Sequence, residues 1–133
     1  MPTRGVRGAT VATANEAGAI LAATRELLLA IRNANLSMQT EDLASILFTV
    51  SDELDAVYPA QAVHQLEWPG IPLICAREIP VPGGLSNCIR VLIHWNTDLP
   101  QDQIIHIYQK DAARLRPDWV QKAQKAEVGT ETR

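Results

Sequence analysis

The chain has 133 residues, of which 47% are apolar and 20% charged, and its formal net charge is -3 at neutral pH. This length and composition favour one globular domain over two. The acidic balance excludes the basic surface of a general nucleic-acid-binding protein, although a local group of arginines can still bind a small anion. No apolar run approaches the about 20 residues of a membrane span, so we expect a cytoplasmic protein that binds neither nucleic acid nor membrane.

The first half of the chain predicts a strand, a helix and a second strand. Residues 3–12 favour a strand, in which Gly5 and Gly8 would allow another backbone or a ligand to come close. Thr13 and Glu16 form a plausible capping box for a helix that should lie across a sheet. The apolar stripe of that helix consists of Ala17, Ile20, Leu21, Thr24, Leu27, Leu28 and Ile31. A short helical start at residues 40–43 leads into a buried strand at 46–50.

The second half continues with a helix at residues 59–66 that places Gln61 and His64 on one face, and with strands at 71–78 and 88–96. Residues 105–108 repeat the alternation of the 88–96 strand, so Arg90 and Tyr108 should point away from the helix-covered core. A last helical turn at 109–115 should end before Pro117, which favours an extended Arg116. We therefore predict a mixed sheet of the α+β class with helices on one face. A domain at 1–120 would be followed by a polar, mobile tail at 121–133.

The motifs of common catalytic and metal sites are absent from the sequence. The histidines, His64, His94 and His106, are scattered and have no ligand partners at suitable spacing, which argues against a metal site. Cys75 and Cys88 lie in apolar strand-like runs, so we expect them to be reduced and buried. The polar residue that most needs an explanation is Arg90, because arginine is rarely buried without a partner.

Two interpretations of Arg90 remain open from the residue pattern. In the first, it forms a structural salt bridge with Glu78 on a neighbouring strand. In the second, Arg7 and Arg90 bind a dianion through paired hydrogen bonds while Glu78 accepts a hydrogen bond from it. Tyr108 would add a donor on the same face, or would simply cover core as an edge aromatic.

The sequence resembles the monofunctional α/β-type chorismate mutases over residues 3–119. The matching segments occur in the family's order and at its spacing. They are Arg4 to Thr10, Val57 to Ala60, Pro72 to Glu78, Gly83 to Leu85, Cys88 to Val91, Asn96 to Asp98, Pro100 to Asp102, His106 to Tyr108 and Leu115 to Asp118.

This resemblance implies a homotrimer, a pseudo-α/β-barrel of the chorismate mutase and enamine deaminase type, with chorismate bound in clefts between subunits. One subunit would contribute Arg7, Glu78, Arg90 and Tyr108. The next would contribute Tyr58, Ala60, Ile74 and Cys75, and Gln61 and His64 would lie on an exposed helix face near the cleft mouth. Leu115 and Arg116 would belong to the chain end that closes the cleft.

The implied reaction is the concerted rearrangement of chorismate to prephenate in aromatic amino-acid biosynthesis, and it requires no cofactor or metal. By resemblance, Arg90 donates to the ether oxygen, Arg7 and Tyr108 hold the enolpyruvyl carboxylate, and Glu78 and Cys75 contact the ring hydroxyl. The chain departs from the family at Gln61 and His64, where lysine and arginine are common, and at Ile74, which replaces a small polar residue.

Three other interpretations compete with this one. A trimeric imine or enamine deaminase would account for Arg90 but not for the matches at both ends of the chain. A non-catalytic sensor of an aromatic-pathway metabolite would bind the dianion without turnover. A dimerisation partner for a larger enzyme has no visible linker or fused domain to support it.

Overall fold

The computed structural model describes residues 1–68 and 70–131, with side chains in the last helix described as far as residue 126. Five strands are present: β1 (Thr3–Val11), β2 (Leu43–Val50), β3 (Leu73–Arg77), β4 (Cys88–Asn96) and β5 (Ile107–Tyr108). Three α-helices accompany them: α1 (Ala17–Ala34), α2 (Gln61–Gln65) and α3 (Pro117–Glu131). Short 3₁₀ helices cover Thr40–Asp42, Gln101–Gln103 and Lys110–Leu115.

The strands form one mixed sheet in the order β3-β2-β4-β1-β5. The central β4 is antiparallel to both β1 and β2, whereas the outer pairs β2–β3 and β1–β5 are parallel. The expectation of a mixed sheet in an α+β fold is therefore confirmed.

Helix α1 and the short α2 cover one face of this sheet. The predicted stripe of α1 is buried as expected, except for Ala17 at its exposed start. It packs on the alternate positions of β4 that include Ile93 and Trp95, which are fully buried. Gly8 shows how close this packing is, because a Cβ atom built there would lie 2.8 Å from Ile31 Cδ1 and 3.2 Å from the Ile107 carbonyl oxygen. The close approach predicted for the β1 glycines is thus observed at Gly8.

Three local expectations differ from the structure. Glu16 is the N-cap of α1 and makes no side-chain capping bond, so the predicted capping box with Thr13 does not form. β5 begins at Ile107 and excludes Ile105. The Ile105 N–H donates to the Asn35 side-chain oxygen and not to a neighbouring strand. The helical turn expected at 109–115 forms as the 3₁₀ helix Lys110–Leu115, but it is not the last, because proline is tolerated in a first helical turn and α3 begins at Pro117.

The expected tail at 121–133 overlaps α3. Residues 121–131 are helical, and residues 132 and 133 lie outside the described residues. Arg116, immediately before Pro117, has φ -143° and ψ 72°, which is outside the helical region as expected. The mobility of this segment stays a prediction.

Among the described residues, helical segments cover the second face of the sheet at its β5 end. There the 3₁₀ helix Lys110–Leu115 and the start of α3 pack on Ala9 and Tyr108. In the described parts of the chain no helix is long and apolar enough to cross a membrane. The remainder of the second face carries the polar side chains that the sequence singled out.

Candidate active site

Arg7, Glu78 and Arg90 meet on the second face of the sheet. They line a shallow cavity of about 220 Å³ together with Thr49 and Leu92. Arg7 projects from β1 and Arg90 from β4, which are adjacent strands. Two guanidinium groups and one carboxylate give this cavity a net positive charge, which suits an anionic ligand.

Glu78 reaches Arg90 by a route that the sequence did not indicate. Glu78 follows the end of β3, and β2 lies between β3 and β4. Our expectation that Glu78 and Arg90 lie on neighbouring strands is therefore wrong. The Glu78 N–H donates to the Val50 carbonyl at 2.8 Å, which extends the parallel pairing by one residue. The Thr49 hydroxyl then donates to Glu78 Oε1 at 2.5 Å and aims the carboxylate across β2.

The contact between Arg90 and Glu78 is an ion pair without a hydrogen bond. Arg90 Nε lies 3.4 Å from Glu78 Oε1, and each side chain is 32% exposed. Within the described residues this buried Nε–H has no hydrogen-bond acceptor. A buried donor without an acceptor costs folding free energy, about 1–3 kcal/mol in measured cases. A structural salt bridge alone therefore does not explain why the Arg90 Nε–H is buried without an acceptor.

Tyr108 shares the sheet row of Arg90, as the register shows. Ala9 of β1 pairs with Arg90 on one side and with Tyr108 on the other, so both side chains point away from α1, as predicted. Tyr108 is nevertheless buried, because Ala112 and Trp119 pack over it. Burial raises the pKa of its phenol, while the charges of Arg7 and Arg90 act in the opposite direction.

A second cavity of about 560 Å³ contains other residues assigned to the site, Tyr58, Gln61 and Cys75. Burial raises the pKa of the Cys75 thiol, which also has a hydrogen bond with the Ala60 backbone. Thr49 lines the first cavity and Val50 lines the second. The two cavities share no lining residue, so they are separate in this chain.

His64 and Ile74 are both exposed and line neither cavity. His64 is on the outward side of α2 with Gln61, as the helical spacing predicted. Ile74 of β3 is 65% exposed and lies opposite Leu47, which lines the first cavity. A single subunit thus brings Arg7, Glu78 and Arg90 together at one cavity and Tyr58, Gln61 and Cys75 at another, and the lining of neither includes Tyr108.

The last predicted residues, Leu115 and Arg116, lie beside Tyr108. Leu115 packs against the cluster formed by Tyr108 and Ala112. The Arg116 guanidinium donates to both carboxylate oxygens of Asp118, at 3.1 and 2.8 Å, and its central carbon lies 3.3 Å from the centre of the Trp119 ring. The bond with Asp118 raises the pKa of Arg116 and lowers the pKa of Asp118.

The family model described as chorismate mutase type I matches residues 3–119. The chain belongs to this family. It is 49% identical over 115 residues to chorismate mutase AroH of Thermus thermophilus, covering 86% of this chain and 94% of that protein. It is 42% identical over 119 residues to chorismate mutase AroH of Bacillus subtilis (strain 168), covering 89% and 93% of the two chains. A solved chorismate mutase from Clostridium thermocellum superposes with a TM-score of 0.80 at 41% identity, covering 83% of this chain and 97% of that one.

The chain is thus a chorismate mutase, an isomerase, and the family predicted from its sequence is confirmed over the predicted range. Sequence reasoning missed Thr49, which holds the Glu78 carboxylate, because its role depends on the register between β2 and β4. It also gave no role to His106 and Trp119, whose rings lie 4.0 Å apart beside Tyr108. Hydroxyl and ring contacts between distant segments leave no periodic signal in the sequence.

The two cysteines are both free thiols, and burial raises the pKa of each. Cys88 is buried as predicted, whereas Cys75 is only half-buried at the second cavity. Among residues 1–68 and 70–131, no group of three or more His, Cys, Asp or Glu side chains could hold a metal ion.

Proposed function

We propose that this chorismate mutase converts chorismate to prephenate in the cavity of Arg7, Glu78 and Arg90, completed by residues of a neighbouring subunit. The observation that carries the proposal is the buried Arg90 Nε–H, which lies beside the Glu78 carboxylate without a hydrogen-bond acceptor among the described residues. Such a donor would be available to a substrate group that gains negative charge during the reaction.

The chemistry of the rearrangement requires orientation and electrostatics only. The ether bond breaks as a carbon–carbon bond forms in one cyclic step, so no proton, nucleophile or cofactor has to act. Negative charge grows on the ether oxygen, toward which Arg90 would donate. Arg7 and Tyr108 would hold the enolpyruvyl carboxylate and thereby select the compact conformer of the substrate.

Glu78 and Cys75 would contact the ring hydroxyl. The Thr49 hydroxyl already bonds Oε1, which is the Glu78 oxygen that faces Arg90. The other carboxylate oxygen would accept the hydrogen bond from the substrate and favour the positive charge that develops on the ring. Cys75 would act as a neutral thiol or through its backbone, since burial raises its pKa.

We further propose a homotrimer in which each site lies between neighbours. The cavity of about 220 Å³ falls below the about 300 Å³ at which small-molecule sites commonly begin, so it needs another wall. Tyr58, Gln61 and Cys75 surround a different cavity of the same chain, as expected if they serve the adjacent subunit's site. The edge strand β3 and the loop after it also expose Ile74, Ile79 and Val81, which are 65%, 81% and 63% exposed. Such an apolar edge is typical of a subunit interface.

The chain end would complete the cleft through Leu115 and Arg116. Arg116 now pairs with the carboxylate of Asp118, and both side chains are largely exposed, at 40% and 61%. An exposed pair of this kind contributes little free energy, so Arg116 can exchange the Asp118 carboxylate for one of the substrate's.

Ligand capture should be weaker than with a lysine and an arginine at the cleft mouth. Gln61 is uncharged, and His64 carries less positive charge than arginine at neutral pH. Ile74 would matter only where its side chain, not its backbone, faces the substrate. We place the enzyme in the cytoplasm, since its two cysteines are free thiols, as expected in a reducing compartment.

The first test is the loss of chorismate absorbance with the purified protein, with the product converted by acid to phenylpyruvate. Turnover that depends on Arg90 would support the proposed site. Ligand binding without turnover by a correctly folded assembly would instead indicate a sensor and overturn the proposal.

The second test is complementation between two inactive variants. Arg90→Ala damages one half of each proposed site, and Tyr58→Asp places a negative charge in the other half. Random mixed trimers should regain about a quarter of the wild-type activity, because a site needs one intact half from each of two subunits. Native mass spectrometry would verify mixing. Mixed trimers without recovered activity would show that both halves come from the same chain.

A further inference from the structure

The backbone groups on the outer edge of β1 form most of their hydrogen bonds with side chains. At Gly5, the Gln101 carboxamide accepts from the N–H at 2.9 Å and donates to the carbonyl at 2.7 Å. Further along, the Gln109 N–H donates to the Ala9 carbonyl at 2.9 Å. Between these points the Arg7 N–H donates to His106 Nδ1 at 2.9 Å. A histidine ring nitrogen therefore occupies a place that a backbone carbonyl would have in a longer β5.

This hydrogen bond fixes the protonation of His106. Nδ1 can accept only when it carries no proton, so the ring is neutral, with its proton on Nε2. The ring is 9% exposed, and burial is the main reason that its pKa falls to about 4. The positive charges of Lys122, Arg116 and Arg7 lower the pKa further, and Asp118 alone among the named charges opposes them.

Trp119, at the start of α3, packs against the His106 ring. Its ring centre lies 4.0 Å from that of His106 at a tilt of 34°, and 5.6 Å from that of Tyr108 in an edge-on contact. Arg116 stacks on the same indole. The Trp119 side chain thus contacts His106, Tyr108 and Arg116.

We propose that His106 is a positioning residue for Arg7, whose backbone it fixes through Nδ1 while Trp119 fixes the imidazole. The proposal rests on the proposed function in one respect, namely that Arg7 binds a carboxylate of the substrate. Arg7 has a long side chain, so a small rotation of its backbone moves the guanidinium far more than it moves the Cα atom. Fixing the backbone N–H on the outer edge of β1, opposite its pairing with β4, removes this freedom.

Two variants separate the hydrogen bond from the ring contact. His106→Phe keeps an aromatic ring against Trp119 but removes the acceptor. His106→Asn loses the ring but keeps an acceptor, because a carboxamide also branches at Cγ and its oxygen can occupy the Nδ1 position. Gln101→Leu is the matched control, since it removes the side-chain bonds at Gly5 on the same edge, two residues away from Arg7.

We expect His106→Phe to reduce kcat/KM by about 10- to 100-fold, the range that a displacement of about 1 Å produces in an oriented site. KM should rise more than kcat falls, because the charge of the bound carboxylate does not change along the reaction. His106→Asn should stay close to the wild type, and Gln101→Leu should lose thermal stability without a comparable change in KM.

The decisive measurement repeats His106→Phe in an Arg7→Ala background. If His106 acts through Arg7, the second substitution should change kcat/KM little once the guanidinium is absent. An equal loss in both backgrounds, or equal kinetic losses in His106→Phe and Gln101→Leu, would overturn the positioning role alone. An Arg7→Ala enzyme with wild-type kinetics would overturn the proposed binding role of Arg7, and the positioning role with it.

Discussion

The two faces of the sheet are built on different principles. On the face covered by α1, residues such as Leu27, Phe48 and Ile93 are fully buried, and each contacts several apolar neighbours. On the opposite face Arg90 and Glu78 are each 32% exposed and are held by a few polar contacts, namely their ion pair and the Thr49 hydrogen bond to Glu78. Trimming a side chain on the first face weakens several of many apolar contacts, whereas trimming one on the second face removes a specific polar contact. Substitutions on the first should therefore change stability, and substitutions on the second should change catalysis.

The largest effect is expected from Arg90→Ala. Loss of a preoriented charged donor costs about 3–4 kcal/mol of barrier, so kcat should fall by about 10²- to 10³-fold. KM should change less, because Arg7 remains to bind the substrate. The measurement is steady-state kinetics, with circular dichroism to verify the fold. A raised KM with an unchanged kcat would show that Arg90 binds the ground state as strongly as the transition state.

A smaller catalytic effect is expected from Thr49→Val. The substitution keeps the β-branched shape and removes the 2.5 Å bond to Glu78 Oε1, so the carboxylate can turn toward Arg90. We expect kcat to fall about tenfold, the equivalent of one hydrogen bond to a charged group. Thr49→Ser, which retains the hydroxyl, is the control. A Val variant as active as the Ser variant would show that Glu78 needs no support from β2.

Ile93→Val tests the helix-covered face. Removing one methylene from this fully buried site should lower the free energy of unfolding by about 0.5–1.5 kcal/mol. Neither kcat nor KM should change for the folded enzyme at 25 °C, because Ile93 points away from the cavity. Urea denaturation measures the free energy of unfolding. A kinetic change in this variant would show that the two faces are coupled through β4.

The sequence predicted the helix-covered face better than the site face for a physical reason. Burial against α1 imposes a period of two on β4 and a helical period on residues 20–31, and both are visible in one dimension. The meeting of Glu78 and Arg90 depends on the strand order β3-β2-β4, which no local pattern specifies. The resemblance to a family predicted the site residues, but it gave no indication of the hydrogen bonds that join Thr49 to Glu78 and His106 to Arg7.

The chain end was the least predictable region. Residues 121–131 lack an apolar stripe, which favoured a mobile tail, yet α3 includes them. The contacts that fix its start are those of Trp119 with His106 and Tyr108. A single aromatic residue that packs outside the main core adds too little periodicity to identify a helix. The same contacts connect the chain end to the site face and lead to the smallest expected effect.

That effect is a pH dependence of stability through His106. Its pKa is about 4 in the folded protein, below the ordinary value of 6.5, so the unfolded chain binds more protons between these values. Stability is therefore complete above about pH 6.5 and is lost as the pH falls toward 4. Between pH 7 and pH 6 only the first part of this loss appears, about a threefold change in the unfolding equilibrium constant. Asp118 and Glu53, whose pKa values are lowered, lose their contributions to stability only in more acidic solution.

Urea denaturation of the wild type and of His106→Asn at both pH values isolates the contribution of the histidine, since the variant should lack its share of the change in stability. Parallel curves for the two proteins would show that His106 does not remain neutral in the folded state, and would contradict the Nδ1 hydrogen bond to Arg7.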